Sequence, residues 1–92
     1  MRFLAAVRRN KLLGIWAAAK LGFTAAAAEA YAQGLVEATL HGRGEEDIFR
    51  KVRTDFDANG VKQSDRDIRR AILELRIKAA EQVSAIHRQP RA

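Results

Sequence analysis

The chain has 92 residues, a mass of 10.2 kDa, 48% hydrophobic residues and a formal net charge of +6, a size that supports one small domain with a single core and excludes a deep cleft between domains. Cysteine is absent, which excludes disulfides, thiolate nucleophiles and thiolate metal sites and suits a reducing compartment. No apolar run approaches the roughly 20 residues that cross a bilayer, and "MRFLAAVRRN" holds too few apolar residues for a secretory signal, so residues 1–92 are expected to be mature, soluble and cytoplasmic.

Glycine punctuates four stretches of helical apolar spacing, and proline occurs once, at Pro90, so the chain reads as all-α. The first helix is expected over about 2–21, with Phe3, Leu4, Val7, Leu12, Leu13, Trp16 and Leu21 as its apolar residues and Gly22 as its C-cap. "RRNK" interrupts that stripe. Thr24 is the N-cap of a second, alanine-rich helix over about 25–41, which carries Tyr31, Leu35, Val36 and Leu40 and stops at "HGRG". The third helix, about 45–58, begins with acids that its dipole favours and sets Ile48, Phe49, Val52 and Phe56 on one face. The fourth, about 65–88, starts with Ser64 and Asp67 as a variant capping box and buries Ile68, Ile72, Leu75, Ala79, Val83 and Ile86, fraying near Pro90. Short connections and no internal repeat predict one compact four-helix domain over 1–92.

Charge is uneven. Residues 1–21 carry five cations and no acid, 22–42 carry two acids, 43–60 carry four cations and five acids, and 61–92 carry eight cations and four acids. Basic ends favour an anionic partner without choosing between nucleic acid, an acidic protein surface and nucleotide phosphate.

One segment spells a ligand chemistry. "DFDANGVKQSDR" places Asp55, Asp57, Asn59 and Gly60 at positions one, three, five and six of a calcium-binding loop, but position twelve, which must be a bidentate carboxylate, is Arg66. The turn has a local explanation instead: Asn59 and Gly60 tolerate the left-handed conformation that ends one helix, and Ser64 starts the next. His41 and His87 are far apart with no ligand partner at metal spacing, so both read as surface histidines and no metal is expected. No serine sits in a nucleophile elbow, and "GRGEED" is no phosphate loop, so no catalytic residue is expected. Trp16 and Tyr31 read as packing residues. Arg8, Arg9 and Lys11, followed at once by "LLGIW", either place cations at the edge of a buried surface or form a solvated face.

"RRNKLLGIWAA" (Arg8 to Ala18) and "EDIFRKVRTDFDANGV" (Glu46 to Val61), continued by "SDRDIRRAILEL" and "AAEQV", closely resemble the zeta subunit of alphaproteobacterial F-type ATP synthases over nearly the whole chain. The resemblance implies a helical inhibitor, not an enzyme, that binds the catalytic head of ATP synthase and blocks ATP hydrolysis. In that family an N-terminal segment becomes helical as it inserts between α and β subunits towards γ, while the bundle anchors outside. It implies a partner-binding region of Arg2, Phe3, Leu4, Val7, Arg8, Arg9 and Lys11, a location peripheral to the inner membrane through ATP synthase without membrane insertion, and no resident cofactor. Weak purine-nucleotide binding to the bundle belongs to some members and maps to no particular residue here.

Two departures stand out. Zeta proteins carry an upstream segment rich in Asp, Glu and Phe where this sequence has Met1, so weak inhibition is expected. The last helix is also unusually rich in arginine, at Arg66, Arg69, Arg70 and Arg76. The runner-up readings are a small basic nucleic-acid-binding helical protein and a nucleotide sensor derived from the zeta bundle. Cations split between both ends and interleaved with acids fit a groove reader poorly.

Overall fold

The computed structural model describes the backbone of residues 2–88 and the side-chain surroundings of residues 3–86. Four helices follow in order: α1 (Arg2–Leu21), α2 (Ala25–Leu40), α3 (Glu45–Ala58) and α4 (Asp65–Arg88). No strand occurs among the described residues, and the chain is the compact all-α, four-helix structure that its glycine punctuation predicts. The expected fraying at Pro90 and the reading of His87 fall outside the described side chains.

Local chemistry sets the helix ends. Thr24, in extended conformation, accepts a hydrogen bond from the Ala27 amide at 3.3 Å and so starts α2. Ser64 and Asp67 make the reciprocal pair of a capping box: the Asp67 amide donates to Ser64 Oγ at 3.1 Å, and the Ser64 amide donates to Asp67 Oδ2 at 3.3 Å. Gly44 has no side chain, but its amide donates to Asp47 Oδ2 at 3.2 Å, giving α3 half of the same device. α1 ends at Gly22 as expected, with the Phe23 amide reaching back to the Ala18 carbonyl at 3.0 Å. α2 stops one residue early, because the Arg43 amide closes onto the Ala38 carbonyl at 3.0 Å and leaves His41 outside the helical conformation.

α1 packs against α2 and α4 and also touches α3, so it is the central helix. Leu13 and Ala17 of α1 join Leu35, the whole predicted face of α3 (Ile48, Phe49, Val52 and Phe56), and Ile68, Ala71 and Ile72 of α4 in one core. Each large side chain buried there contributes about 1.5–3 kcal/mol against exposure. Trp16 is half-buried, its ring 5.8 Å from Phe56 at the margin of that core, so it packs as expected without being enclosed.

Two expected core residues are instead exposed: Leu40 (56%) and Ile86 (67%). Both lie in the last turn of a helix, at the end of the bundle where α1 begins, and few of the described side chains reach them there. α4 buries Ile68, Ile72 and Ala79 fully but Leu75 and Val83 only partly.

Candidate partner-binding site on α1

Four consecutive residues, Arg8 to Lys11, lie at about 100° intervals around α1 and therefore point in four directions. Arg8 is exposed and its Nε donates to Gln82 Oε1 of α4 at 2.6 Å. Arg9 is nearly covered, and its Nη1 donates to Glu45 Oε1 at 3.0 Å, at the first residue of α3. Asn10 is fully buried and donates to Thr39 Oγ1 of α2. Lys11 pairs with Glu29, also on α2. "RRNK" is therefore neither a solvated face nor a single basic patch: it is the belt that ties the central helix to its three neighbours.

The belt is electrostatically closed at Glu45. Arg76 of α4 also donates to Glu45 Oε1, so one carboxylate at the α3 N-terminus holds cations from α1 and α4 and sits where the helix dipole favours negative charge. Burial lowers the pKa of the Arg9 guanidinium; Glu45 opposes that shift and neighbouring Arg76 adds to it.

Asn10 was invisible as a core residue. It stands three positions before Leu13 and seven before Ala17, on the buried face, so spacing alone marks it; its polarity hides it. Burial is tolerated because its polar atoms are bonded: Oδ1 accepts from Arg9 Nε at 3.0 Å, and Thr39 Oγ1 in turn donates to the Leu35 carbonyl at 3.0 Å.

Upstream of the belt, α1 presents apolar surface. Phe3 is 56% and Leu4 43% exposed, and Val7 is half-buried. Arg2 opens the helix, with its side chain outside the described residues. Leu4 and Val7 join Val36, Val83 and Ile86 in a groove of about 430 Å³ between α1, α2 and α4, and Arg8 and Lys11 supply its basic rim. Of the expected region, Leu4, Val7, Arg8 and Lys11 thus converge on one groove, Phe3 stands beside it in sequence, and Arg9 turns inward.

A larger groove, about 600 Å³, separates α2 from α3. Most of its charge is paired internally: Lys51 with Asp55 at 3.0 Å and Arg50 with Asp47 at 3.5 Å. Tyr31 lines it, and its hydroxyl donates to Asp55 Oδ2 at 2.7 Å, so burial first and that hydrogen bond second raise the phenol pKa.

The calcium-like turn resolves as capping. Gly60 has φ +67°, the left-handed value that L side chains disfavour, and the Val61 amide closes α3 onto the Phe56 carbonyl at 2.9 Å. Asp55 faces Tyr31 and Lys51, whereas Asp57 faces Arg53. The cation that gathers oxygens here is a guanidinium: Arg53 donates to Asp57 Oδ1 at 2.8 Å, to the Gln63 carbonyl at 2.7 Å and to Asp65 Oδ1 at 2.9 Å, and the two carboxylates, Asp65 before Asp57, raise its pKa. Among the described residues no group of three or more His, Cys, Asp or Glu side chains is arranged to hold a metal, and no helix is long and apolar enough to cross a membrane.

Fold and surface define a small, basic, all-α protein whose helix-end apolar groove and cationic rim suit contact with another macromolecule. The family model described as ATPase inhibitor subunit zeta matches residues 1–82, and the chain belongs to that family. It is thus an inhibitor subunit that acts on F-type ATP synthase. No curated protein matches the chain.

Proposed function

We propose that residues 1–92 act as one zeta-like domain that binds the catalytic head of F-type ATP synthase, formed by its alpha, beta and gamma subunits, and inhibits ATP hydrolysis there. The contact region is Arg2, Phe3, Leu4, Val7 and Arg8, with Arg9 and Lys11 holding α1 in place behind it. Binding to the head makes the protein peripheral to the inner membrane, on the cytoplasmic side. The observation that carries this reading is the exposure of Phe3 and Leu4 at the start of α1, beside a cation-rimmed apolar groove, in a member of an inhibitor family.

Inhibition through Arg2 to Val7 by themselves is weak. From Arg8 onward α1 is committed to the bundle, and the six residues before it are just under two turns of helix. They offer less than the roughly 1,200 Å² of total buried surface that a stable interface needs, and each residue ordered on binding costs about 1–2 kcal/mol. A nucleic-acid partner is less well supported, because Arg9, Lys11, Arg53, Arg69 and Arg76 all hold carboxylates of the same chain.

The test measures ATP hydrolysis by the cognate catalytic head with three proteins: the 92-residue chain, its Phe3→Ala/Leu4→Ala variant, and a fusion carrying the inhibitory N-terminal segment of another zeta protein ahead of Phe3. The expected order of inhibition is fusion, then chain, then variant. If the variant inhibits as well as the unchanged chain, the contact region lies elsewhere. If the chain equals the fusion, inhibition resides in the bundle.

A further inference from the structure

α4 has a second stripe. Opposite its buried face, Arg66, Arg70, Leu73, Ile77, Ala80 and Ser84 follow one another at spacings of four, three, four, three and four, and all six are exposed. Leu73 is 50% and Ile77 54% exposed. This is the 3.5-residue seam by which one helix receives another, yet among the described residues no helix lies on it.

The charges around the seam select its occupant. Arg66 and Arg70 lie on the seam itself, with no ion pair among the described residues, whereas Arg69 and Arg76 on one edge are held by Glu46 and Glu45. Glu74 and Glu81 lie along the other edge, exposed. A second copy docked in parallel would face Arg66 and Arg70 with their own counterparts. Docked antiparallel about Leu73 and Ile77, it would set Glu74 beside Glu74 and Arg76 beside Arg76. Both arrangements juxtapose like charges, which disfavours pairing. A helix with apolar residues over Leu73, Ile77 and Ala80 and carboxylates over Arg66 and Arg70 satisfies every position.

We propose that this outward face of α4 is a second docking surface, separate from the α1 groove, for an acidic amphipathic helix of the ATP synthase catalytic head. It deepens, and rests on, the reading of the head as the partner. The α1 site then supplies the inhibitory contact, and the α4 seam supplies attachment that does not depend on the reach of α1. Two linked contacts bind more tightly than either alone when both can engage at once.

The experiment measures affinity of the cognate catalytic head for the full chain, for Leu73→Ser/Ile77→Ser, for Arg66→Glu/Arg70→Glu and for Phe3→Ala/Leu4→Ala, with circular dichroism on each. Loss of central apolar anchors is expected to weaken binding about tenfold or more. The charge reversal is expected to weaken it and to reduce its salt sensitivity, the rest coming from the basic rim of the α1 groove. Since Arg66 and Arg70 are solvent-exposed and make no ion pair among the described residues, the reversal carries the test even if the serine variant unfolds. If the unchanged chain does not bind the head, the partner reading and this assignment fall together. If the unchanged chain binds and the folded α4 variants bind equally well, the α4 assignment alone falls. A concentration-dependent dimer, or flotation with phosphatidylglycerol vesicles, that both α4 variants abolish would give the seam to a different occupant and overturn it.

Discussion

Gly14 of α1 lies against the backbone of Ala32 of α2 so closely that a Cβ at Gly14 would stand 2.4 Å from Ala32 Cα. No rotamer change relieves that clash, since the obstructing atom is main chain. Gly14→Ala is therefore expected to force the two helices apart and to cost about 1–3 kcal/mol or more, despite the better helix propensity of alanine. Gly34→Ala is the control: nothing lies within 4 Å of its Cβ position, and propensity alone should stabilise it by up to about 1 kcal/mol. Denaturant titration of both variants checks the opposite signs. Equal shifts would mean that α1 and α2 are not in this contact.

Asn10 and Thr39 link the same two helices by a buried hydrogen bond. Asn10→Ala is expected to destabilise by about 1–3 kcal/mol through the lost partners and the space left behind. A double-mutant cycle with Thr39→Ala should return a coupling of at least about 0.5 kcal/mol. Additive effects would show that the bond carries no energy.

Tyr31 offers a pH signature. Burial and the Asp55 hydrogen bond raise its folded-state pKa, whereas an unfolded tyrosine titrates near about 10. The folded state thus binds more protons above that pH, so this contribution is complete below about pH 10 and is lost as pH rises beyond it. The chain has one tyrosine, and tyrosinate absorbance reports on it alone. Native protein should show little ionisation at about pH 10, where the denatured chain is half ionised. Tyr31→Phe should remove the associated fall in stability. A native titration that overlays the denatured one would contradict both.

Calcium should leave the melting temperature at its magnesium-control value. A ligand bound only by the native state must stabilise it, and here Arg66 replaces the essential carboxylate while Arg53 already gathers Asp57, Asp65 and the Gln63 carbonyl. A calcium-specific rise of several degrees would refute the capping account.

The helices, their caps and the α3 face were legible in the sequence because they depend on neighbours within four residues. Thr24, Ser64 with Asp67, Gly22 and Gly60 act where the chain places them, and Ile48, Phe49, Val52 and Phe56 fall on one side of any helix that includes them. The expectation that calcium does not bind is equally local, since Arg66 stands where a calcium loop needs a bidentate carboxylate. The resemblance to zeta inhibitors also needed only the order of residues along the chain, and the family match over residues 1–82 agrees with it.

What the cluster at Arg8 to Lys11 does was decided by tertiary structure. Its role depends on Gln82, Glu45, Thr39 and Glu29, between 18 and 74 residues away in sequence, and no periodicity carries that information. Exposure of Leu40 and Ile86 likewise follows from where the bundle ends, not from their place on a helical stripe. A period of 3.6 residues identifies the side of a helix that is apolar; only the packing of α1, α2 and α4 determines how far along that side the partners extend. The same packing of α1, α2 and α4 sets Leu4, Val7, Val83 and Ile86 around one groove.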